Sequence, residues 1–335
     1  MKPSGLQFSS YRHTKLCYTC LMIKGITLLV TKRCDLQCEH CLRGHPQDKV
    51  DFPLTLLDKL LNEAMQFGAG HVGLTGGEPH LHREFDQIVE KIVNYGFSWG
   101  FASHGQRTKP YLPLMEKYRE DLKYARLSLD GANPALHDEI RGRKGSFEHV
   151  IQSAKIYKKE GFPVSFVTSL NQKNKGEVQA LIDLAESVGV KGITFSGTIP
   201  AHWNQHLILQ DSEAIDLFNQ INEACKNSEL DIRTASALYT KGGINFCNVL
   251  NIKSIAVNTA GQLIFCCDTI EDGAVIGSLH EQSLIALIQR KIEYSAKLQA
   301  QRASRIESGK MGEGFDTCAY CNRYFDKEIH ESGQE

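Results

Sequence analysis

The sequence predicts an α/β protein in which helices cover a mainly parallel β-sheet. Three observations between residues 25 and 200 favour this class. Short apolar runs alternate with segments of helical periodicity, the alternation repeats six times, and glycines stand where the helices should end. Successive βα units of this kind place their strands side by side and parallel in one sheet.

The six predicted strands are short apolar runs, of which residues 25–30 form the first. The other five span residues 71–75, 99–102, 125–129, 164–168 and 192–196. The helix after the first strand places four apolar side chains on one face: Leu57, Leu60, Leu61 and Ala64. Six units fall short of the eight in a closed barrel. We therefore predict a partial (β/α)6 TIM-like barrel, and a doubly wound sheet is the alternative that the sequence leaves open.

Beyond residue 200 the alternation stops, which predicts a second, smaller unit. The expected elements are a helix over residues 214–224, a hairpin over 254–266 that turns at 258–261, and a polar helix over 281–302. Residues 1–21 are interpreted as a disordered extension or an over-read start codon. The predicted parts of the chain are then 1–21, a barrel core over 22–205, a connecting helical segment over 206–245, a C-terminal module over 246–326 and a tail over 327–335.

Charge and hydropathy exclude several classes of partner. The 335 residues carry a formal net charge of −1 and no block of Lys and Arg, so neither nucleic acid nor an anionic membrane surface is expected as a partner. No apolar run approaches the roughly 18 residues that span a bilayer, and the N-terminus lacks a signal-peptide core. We expect a soluble, cytoplasmic protein.

Eleven cysteines are the unusual feature of the composition, and most of them cluster by spacing. In a cytosolic chain, clustered cysteines favour metal ligation over disulfides, because thiolates are soft ligands suited to iron–sulfur clusters or zinc. Cys34, Cys38 and Cys41 form a C-x3-C-x2-C pattern in the loop that leaves the first predicted strand. Parallel βα architectures bind ligands at this edge of the sheet.

Three closely spaced cysteines differ from the four that hold an ordinary electron-transfer cluster. One iron is left without a protein ligand and can bind a substrate or cofactor, as an open zinc position does. The alternatives are a zinc site, or a structural cluster completed by a fourth cysteine from elsewhere in the chain.

The spacing of these cysteines is that of the radical S-adenosylmethionine (SAM) superfamily, which the chain resembles over roughly residues 24–200. Gly76-Gly77-Glu78-Pro79 follows the second predicted strand, where the family carries its G-G-E-P motif. The resemblance implies that this strand edge binds the methionine amino group of SAM, and glycines allow the close backbone approach that such binding needs.

Further residues are similar to the SAM contacts of this family. Ser128-Leu129-Asp130-Gly131, followed by Arg141, resembles the pattern at the fourth strand. The resemblance implies that Ser128 contacts the ribose side of SAM, that Arg141 contacts its carboxylate and that Asp130 belongs to the same site. Ser103, at the end of the third strand, fits another SAM contact. His40 stands where the family usually has an aromatic residue near adenine.

A second set of cysteines, Cys247, Cys266, Cys318 and Cys321, lies in the C-terminal module. The G-x4-C run that ends at Cys266, the helix after it and the closing C-x2-C resemble the twitch module, the shortened form of the SPASM domain. The resemblance implies one auxiliary [4Fe-4S] cluster, because no cysteine follows Cys321. Zinc held by four cysteines is the alternative. Cys17 and Cys20 receive no role, and Cys225 is expected to be a buried small side chain.

The resemblance as a whole implies two [4Fe-4S] clusters, SAM as cofactor and an electron donor such as a flavodoxin or ferredoxin. One electron cleaves SAM to methionine and a 5′-deoxyadenosyl radical, which abstracts hydrogen from a substrate. The expected substrate is a ribosomally made peptide that undergoes epimerisation or crosslinking. Dehydrogenation or rearrangement of a small-molecule intermediate is the first alternative. A non-catalytic iron–sulfur electron carrier is the alternative from another class.

Cys267 directly follows a predicted cluster ligand. The Cys266-Cys267 pair resembles radical SAM peptide epimerases, in which a cysteine beside a ligand returns hydrogen to the substrate. If the strand continues through both residues, their side chains point to opposite faces. We therefore predict that Cys267 is a catalytic hydrogen donor facing the active-site cavity, and a buried inert thiol is the alternative.

Overall fold

Ten strands form one sheet in the computed structural model, which describes residues 23–45, 48–235, 238, 247, 252–268, 274–308, 318 and 321. The order across the sheet is β10-β9-β8-β1-β2-β3-β4-β5-β6-β7. The strands are β1 Gly25–Thr31, β2 His71–Gly76, β3 Ser98–Ser103, β4 Leu122–Ser128, β5 Val164–Leu170, β6 Gly192–Gly197, β7 Asp231–Thr234, β8 Ser254–Val257, β9 Gln262–Ile264 and β10 Val275–Ser278.

Eight α-helices connect or flank these strands within the described ranges. They are α1 Leu54–Met65, α2 Phe85–Asn94, α3 Thr108–Lys117, α4 Pro134–Arg141, α5 Ser146–Lys159, α6 Val178–Val188, α7 Asp211–Asn227 and α8 Leu284–Glu307. No helix in the described part of the chain is both long enough and apolar enough to cross a membrane.

Strands β1 to β7 pair in chain order, and every pair is parallel. The six predicted strands and the α/β class are therefore confirmed. The seventh parallel strand, β7, was not predicted. Its four residues, Asp-Ile-Arg-Thr, are half-buried or exposed, so they contain no apolar run that would indicate a strand.

The helices cover one face of this sheet, which distinguishes a barrel from a doubly wound sheet. In β2 and β3, Val72, Leu74, Trp99 and Phe101 belong to the core that the helices bury. The residues between them, such as Gly73 and Gly100, point to the opposite side. We call this opposite side the inner face, and the partial barrel is the alternative that the structure favours.

The C-terminal hairpin continues the barrel sheet. Strands β8 and β9 are antiparallel and turn at Gly261, which has a φ of 70°, as the sequence predicted. Strand β8 pairs in parallel with β1, so that Ile255 lies beside Ile26. Helix α8 confirms the predicted polar helix. The limits of the predicted domains stay a prediction.

Candidate active site

The cysteine loop begins where β1 ends and is held against the end of β2. The amide of Gly77 donates to the Thr31 carbonyl and that of Glu78 to the Arg33 carbonyl, each at 2.7 Å. A Cβ on Gly77 would overlap the Arg33 carbonyl, and Gly76 has a φ of 137°. The close approach that these glycines permit is therefore made, in the first place, to the cysteine loop itself.

Helix α4 holds the loop from its other side. The amide of Gln37 donates to the Arg141 carbonyl at 3.3 Å, and that of Glu39 donates to the Ile140 carbonyl at 3.2 Å. Gly142 ends the helix with a φ of 63°, and a Cβ there would overlap the Gln37 carbonyl. Two strand ends and one helix end thus fix the loop between Cys34 and Cys41.

Cys34, Cys38 and Cys41 line one cavity of about 320 Å³ at the end of the sheet. Cys38 is buried, and burial raises the pKa of its thiol to about 11. Burial likewise raises the pKa of Cys41. A bound metal would offset this cost, because its positive charge stabilises the thiolate. Three soft donors around one roomy cavity fit an iron–sulfur cluster with an open iron.

The walls of this cavity contain most of the predicted SAM contacts. They are His40, Gly76, Gly77, Glu78, Ser103, Ser128 and Arg141. Two other predicted contacts are buried behind the wall. Pro79 begins a short 3-10 turn over Pro79–Leu81, and Asp130 has no solvent exposure.

Glu78 accepts hydrogen bonds from the protein on both of its oxygens. The Ser103 hydroxyl donates to Oε1 and the His104 amide to Oε2, each at 2.9 Å. The imidazole nitrogens of His80 and His104 lie 3.1 and 3.2 Å from this carboxylate. Burial favours the neutral acid, but His104 and His80 outweigh it and lower the pKa of Glu78 to about 2. Glu78 is thus an anion that orders the wall of the cavity.

Arg141 forms a buried ion pair with Asp130, whose Oδ2 lies 2.7 Å from the arginine Nε. Its Nη1 approaches the sulfur of Cys38 at 3.7 Å. The Nε2 of His40 lies 3.7 Å from the same Asp130 oxygen. Burial nevertheless lowers the pKa of His40 to about 4, so this imidazole is neutral near pH 7. Arg141 is therefore a fixed cation beside Cys38.

Sequence reasoning assigned no role to Asp35 or His104, although both adjoin the first cysteine. The Sγ of Cys34 and one donor atom from each of these residues lie within 4.8 Å of one another. The Nε2 of His104 is 2.8 Å from Asp35 Oδ1. Burial disfavours a charged His104, but Glu78, Asp35 and Cys34 outweigh it and raise its pKa to about 10. In the sequence, only the position of His104 directly after Ser103 could have suggested that His104 belongs to the site.

Two cysteines of the second set, Cys247 and Cys266, lie near a buried lysine of α8. Cys247, Cys266 and Cys321 pack against the main core, and Cys247 and Cys266 both lie within electrostatic range of Lys291. Lys291 is fully buried, donates to the Phe265 carbonyl and is held 4.5 Å from the Phe265 ring centroid. Burial lowers its pKa to about 8. Nothing in the polar pattern of α8 indicated a buried charge.

The expectation that a strand continues through Cys266 and Cys267 is wrong. Strand β9 ends at Ile264, and the sulfurs of the two cysteines lie within 4.8 Å of each other. Their surroundings still differ, because Cys266 packs against the main core and Cys267 against Leu29, Ala256 and Ile264. The hydrogen bond to Cys266 raises the pKa of Cys267 well above its ordinary value.

Three further cysteines fall outside both sets. Cys17 and Cys20 lie outside the described residues. Cys225, expected to be buried, is exposed instead. Helix α7 buries Leu217 and Ile221, one turn apart, and its next turn carries Cys225 beyond the contact with the core.

Comparison with known proteins identifies the domain around the first cysteines. Residues 28–185 match the family model described as the radical SAM superfamily. The protein AlbA of Bacillus subtilis, named for biosynthesis of the antilisterial bacteriocin subtilosin, is 26% identical over 172 residues. The match covers 51% of this chain and 38% of AlbA.

An AdoMet-dependent heme synthase of Methanosarcina barkeri is 28% identical over 164 residues, which are 48% of this chain and 46% of the synthase. The chain thus spans less than half the length of these two curated relatives. Beyond that span, the likeness to them carries no information about this chain.

The fold is similar to that of SuiB from Streptococcus suis, solved in complex with the precursor peptide SuiA. The TM-score is 0.68 at 14% identity, over 80% of this chain and 64% of SuiB. At this identity the likeness concerns the fold alone. The family match therefore identifies residues 28–185, which contain Cys34, Cys38 and Cys41, as a radical SAM domain.

Proposed function

We propose that the chain is an enzyme that cleaves SAM reductively in the cavity lined by Cys34, Cys38 and Cys41. The observation that carries this proposal is that three thiols share one cavity, whose other walls are strand ends from β2, β3 and β4. When bound there, a [4Fe-4S] cluster and SAM would supply one-electron chemistry that ends in hydrogen abstraction. An external flavodoxin or ferredoxin is the proposed electron donor.

The protein residues hold, orient and shield this chemistry. The three cysteines would hold the cluster, and Arg141 places a cation within reach of Cys38 to offset its negative charge. We infer that the nitrogens of Arg141 not used by Asp130 orient the SAM carboxylate. The neutral His40, with Ser103 and Ser128, completes a wall on which the rest of SAM is positioned.

We propose a peptide as the substrate, modified by epimerisation or crosslinking. The fold likeness to SuiB, which binds the peptide SuiA, and the relation to AlbA support this choice. The relation to a heme synthase supports the second candidate, a change made to a small-molecule intermediate. The chemistry at the cysteine loop is the same in both cases.

Cys247, Cys266, Cys318 and Cys321 are proposed to hold one auxiliary cluster. The nearness of Cys247 and Cys266 to Lys291 supports this, although 19 residues separate the two cysteines in the chain. Zinc remains the competing metal for four thiolates. Iron and zinc analysis of purified protein separates the two.

Cys267 is proposed to return hydrogen to the substrate. Its packing against Leu29 supports this, because Leu29 is paired with Thr75, which lines the cavity. Arg43, another cavity residue, donates to the Cys267 carbonyl. In this step the S–H bond breaks and a C–H bond forms at the substrate radical. The resulting thiyl radical is reduced by one electron and one proton, the electron coming from the external donor.

Anaerobic incubation of the reconstituted protein with SAM and dithionite tests the proposed activity. We expect 5′-deoxyadenosine and methionine to form without any substrate. Replacing Cys34, Cys38 and Cys41 with Ala should abolish both products. Cys225→Ala is the matched control, because Cys225 is an exposed cysteine on α7 outside both sets. An electron carrier would yield no 5′-deoxyadenosine, and that result would reject the proposal.

A further inference from the structure

Arg126 places a cation on the inner face of the barrel, close to the cavity. In β4 its neighbours Ala125 and Leu127 belong to the main core, so Arg126 points to the other side of the sheet. It is register-paired with Ala102 of β3, which lines the cavity. Ser128, two residues further along the same face, lines the cavity as well. Arg126 thus lies about 7 Å along β4 from Ser128, which is the rise of two residues of a strand.

A stack of side chains holds this arginine in place. Its guanidinium carbon lies 4.1 Å from the centroid of the Tyr124 ring. Tyr124 in turn lies over Gly100, where a Cβ would come within 2.7 Å of the ring. The His71 ring is 5.3 Å from Tyr124 on the same face, and its Nδ1 lies 3.0 Å from the Ser98 hydroxyl. The flat side of the guanidinium is therefore used for stacking, which leaves its N–H edge for hydrogen bonding.

Other arginines near this end of the sheet have their charge balanced by a carboxylate, whereas Arg126 does not. Arg33 pairs with Asp51, and Arg141 pairs with Asp130. Arg143 pairs with Asp35. In contrast, no carboxylate among the described residues forms an ion pair with Arg126. The nearby His71 does not add a second charge, because burial and then Arg126 lower its pKa.

We propose that Arg126 binds a carboxylate of the substrate, and that the enzyme therefore acts on an acidic molecule. A half-buried guanidinium that stacks on an aromatic ring and forms no ion pair among the described residues is a strong site for a planar anion, which it can contact through two parallel hydrogen bonds. The proposal rests on the proposed function, since it takes the inner face below the cavity as the substrate site. The carboxylate belongs either to an acidic side chain or to the end of a peptide.

The test uses 4-fluorobenzoate as the probe, followed by fluorine NMR. It is titrated anaerobically into SAM-saturated holoprotein without reductant. We expect 4-fluorobenzoate to bind the wild-type protein with a dissociation constant of about 1 mM, as fits a single such contact. Arg126→Gln should weaken binding at least about tenfold, because one charge-assisted bidentate contact is lost. The neutral probe 4-fluorobenzamide should bind both proteins equally.

Lys123→Gln is the matched control. Lys123 lies on the same strand and carries the same charge, but it is exposed and donates to the Glu120 carbonyl. Its replacement should leave probe affinity within about twofold of wild type. If Arg126→Gln does not fold, Arg126→Lys replaces it in the test. The lysine ammonium lacks the planar fork of the guanidinium, so this variant should bind 4-fluorobenzoate more weakly than the wild-type protein does.

Competition identifies the source of the carboxylate. N-acetyl-alanine represents a chain end, and the α-amide of N-acetyl-glutamate represents an acidic side chain. Displacement of the probe by either one supports the site, and the stronger competitor names the source. Displacement by neither, equal binding to wild type and Arg126→Gln, or no binding to wild type would each overturn the proposal. Release of 5′-deoxyadenosine by the wild-type protein is measured in parallel, so a failure of this proposal is distinct from failure of the proposed function.

Discussion

At the scale of single residues, two charged groups of the cavity, Glu78 and Arg141, interact with partners that are also buried. Glu78 depends on donors from β3 and on two histidines, and Arg141 depends on Asp130. Removing one partner leaves the other buried and unsatisfied, which costs more than the pair contributes. Substitutions here therefore change stability as well as ligand binding, and the two effects have to be measured separately.

Glu78→Gln should destabilise the protein by about 1–3 kcal/mol, because the neutral amide replaces a charged acceptor of several hydrogen bonds. Glu78→Ala should cost more, since it leaves the Ser103 hydroxyl and the His104 amide without their acceptor. Urea unfolding gives both values. SAM affinity, measured by calorimetry at matched iron content, should fall in the Gln variant. Unchanged SAM affinity would remove Glu78 from the cofactor site.

Arg141→Gln should destabilise the protein by about 3–5 kcal/mol, because it leaves the buried Asp130 carboxylate without its compensating cation. The double variant Asp130→Asn with Arg141→Gln should recover much of this loss. SAM affinity should remain weak in both variants if Arg141 contacts SAM directly. Recovery of SAM affinity in the double variant would instead show that Arg141 acts only through the fold.

At the scale of elements, local sequence pattern was sufficient to predict most strands and the hairpin. Apolar runs marked β1 to β6, and the turn before Gly261 marked the hairpin, because burial and backbone preference are local. The three cysteines and the glycine motif were correctly expected at neighbouring strand ends. Strand β7 was missed because its parallel pairing with β6 defines it, while its own residues are half-buried or exposed and form no apolar run.

Side-chain surroundings set by distant parts of the chain were not predictable. Lys291 lies on a helix with a polar pattern, yet it is buried against Phe265, 26 residues away. The path of the chain after β9 decides that Cys266 and Cys267 lie together, and no spacing rule contains that information.

Gly77→Ala tests the junction between β2 and the cysteine loop. The added Cβ would overlap the Arg33 carbonyl, so we expect the loop to shift and the iron bound after reconstitution to fall by about half or more. Gly70→Ala is the control, because a Cβ at Gly70 meets no atom within 4 Å. Iron analysis and thermal unfolding are measured for both. Full iron content in Gly77→Ala would show that the close approach is not required.

At the scale of the whole molecule, one sheet positions the first set of cysteines and Cys266 of the second set. Its outer face is sealed by helices, and the end of its inner face opens into the cavity. The hairpin β8–β9 adds to the barrel beside β1, which brings Cys266 and Cys267 to the strand that precedes Cys34. The loop that carries Cys34 and the segment that carries Cys266 therefore follow strands of the same sheet.

The purified, reconstituted protein should hold about eight irons per chain, as two [4Fe-4S] clusters require. The triple replacement of Cys34, Cys38 and Cys41 with Ala should remove about half of this iron and all SAM cleavage. Replacing Cys247 and Cys266 with Ala should remove the other half. About four irons in the wild-type protein, accompanied by zinc, would support the zinc alternative for the C-terminal cysteines.

The parallel pairing of β1 with β8 has a consequence for how the protein is made. Ile26 and Ile255 become neighbours, so one side of the first strand stays uncovered while more than two hundred residues leave the ribosome. Uncovered strand edges readily pair with other chains. We therefore expect shortened chains that end before β8 to aggregate, and overproduction at low temperature or with chaperones to raise the yield of complete protein.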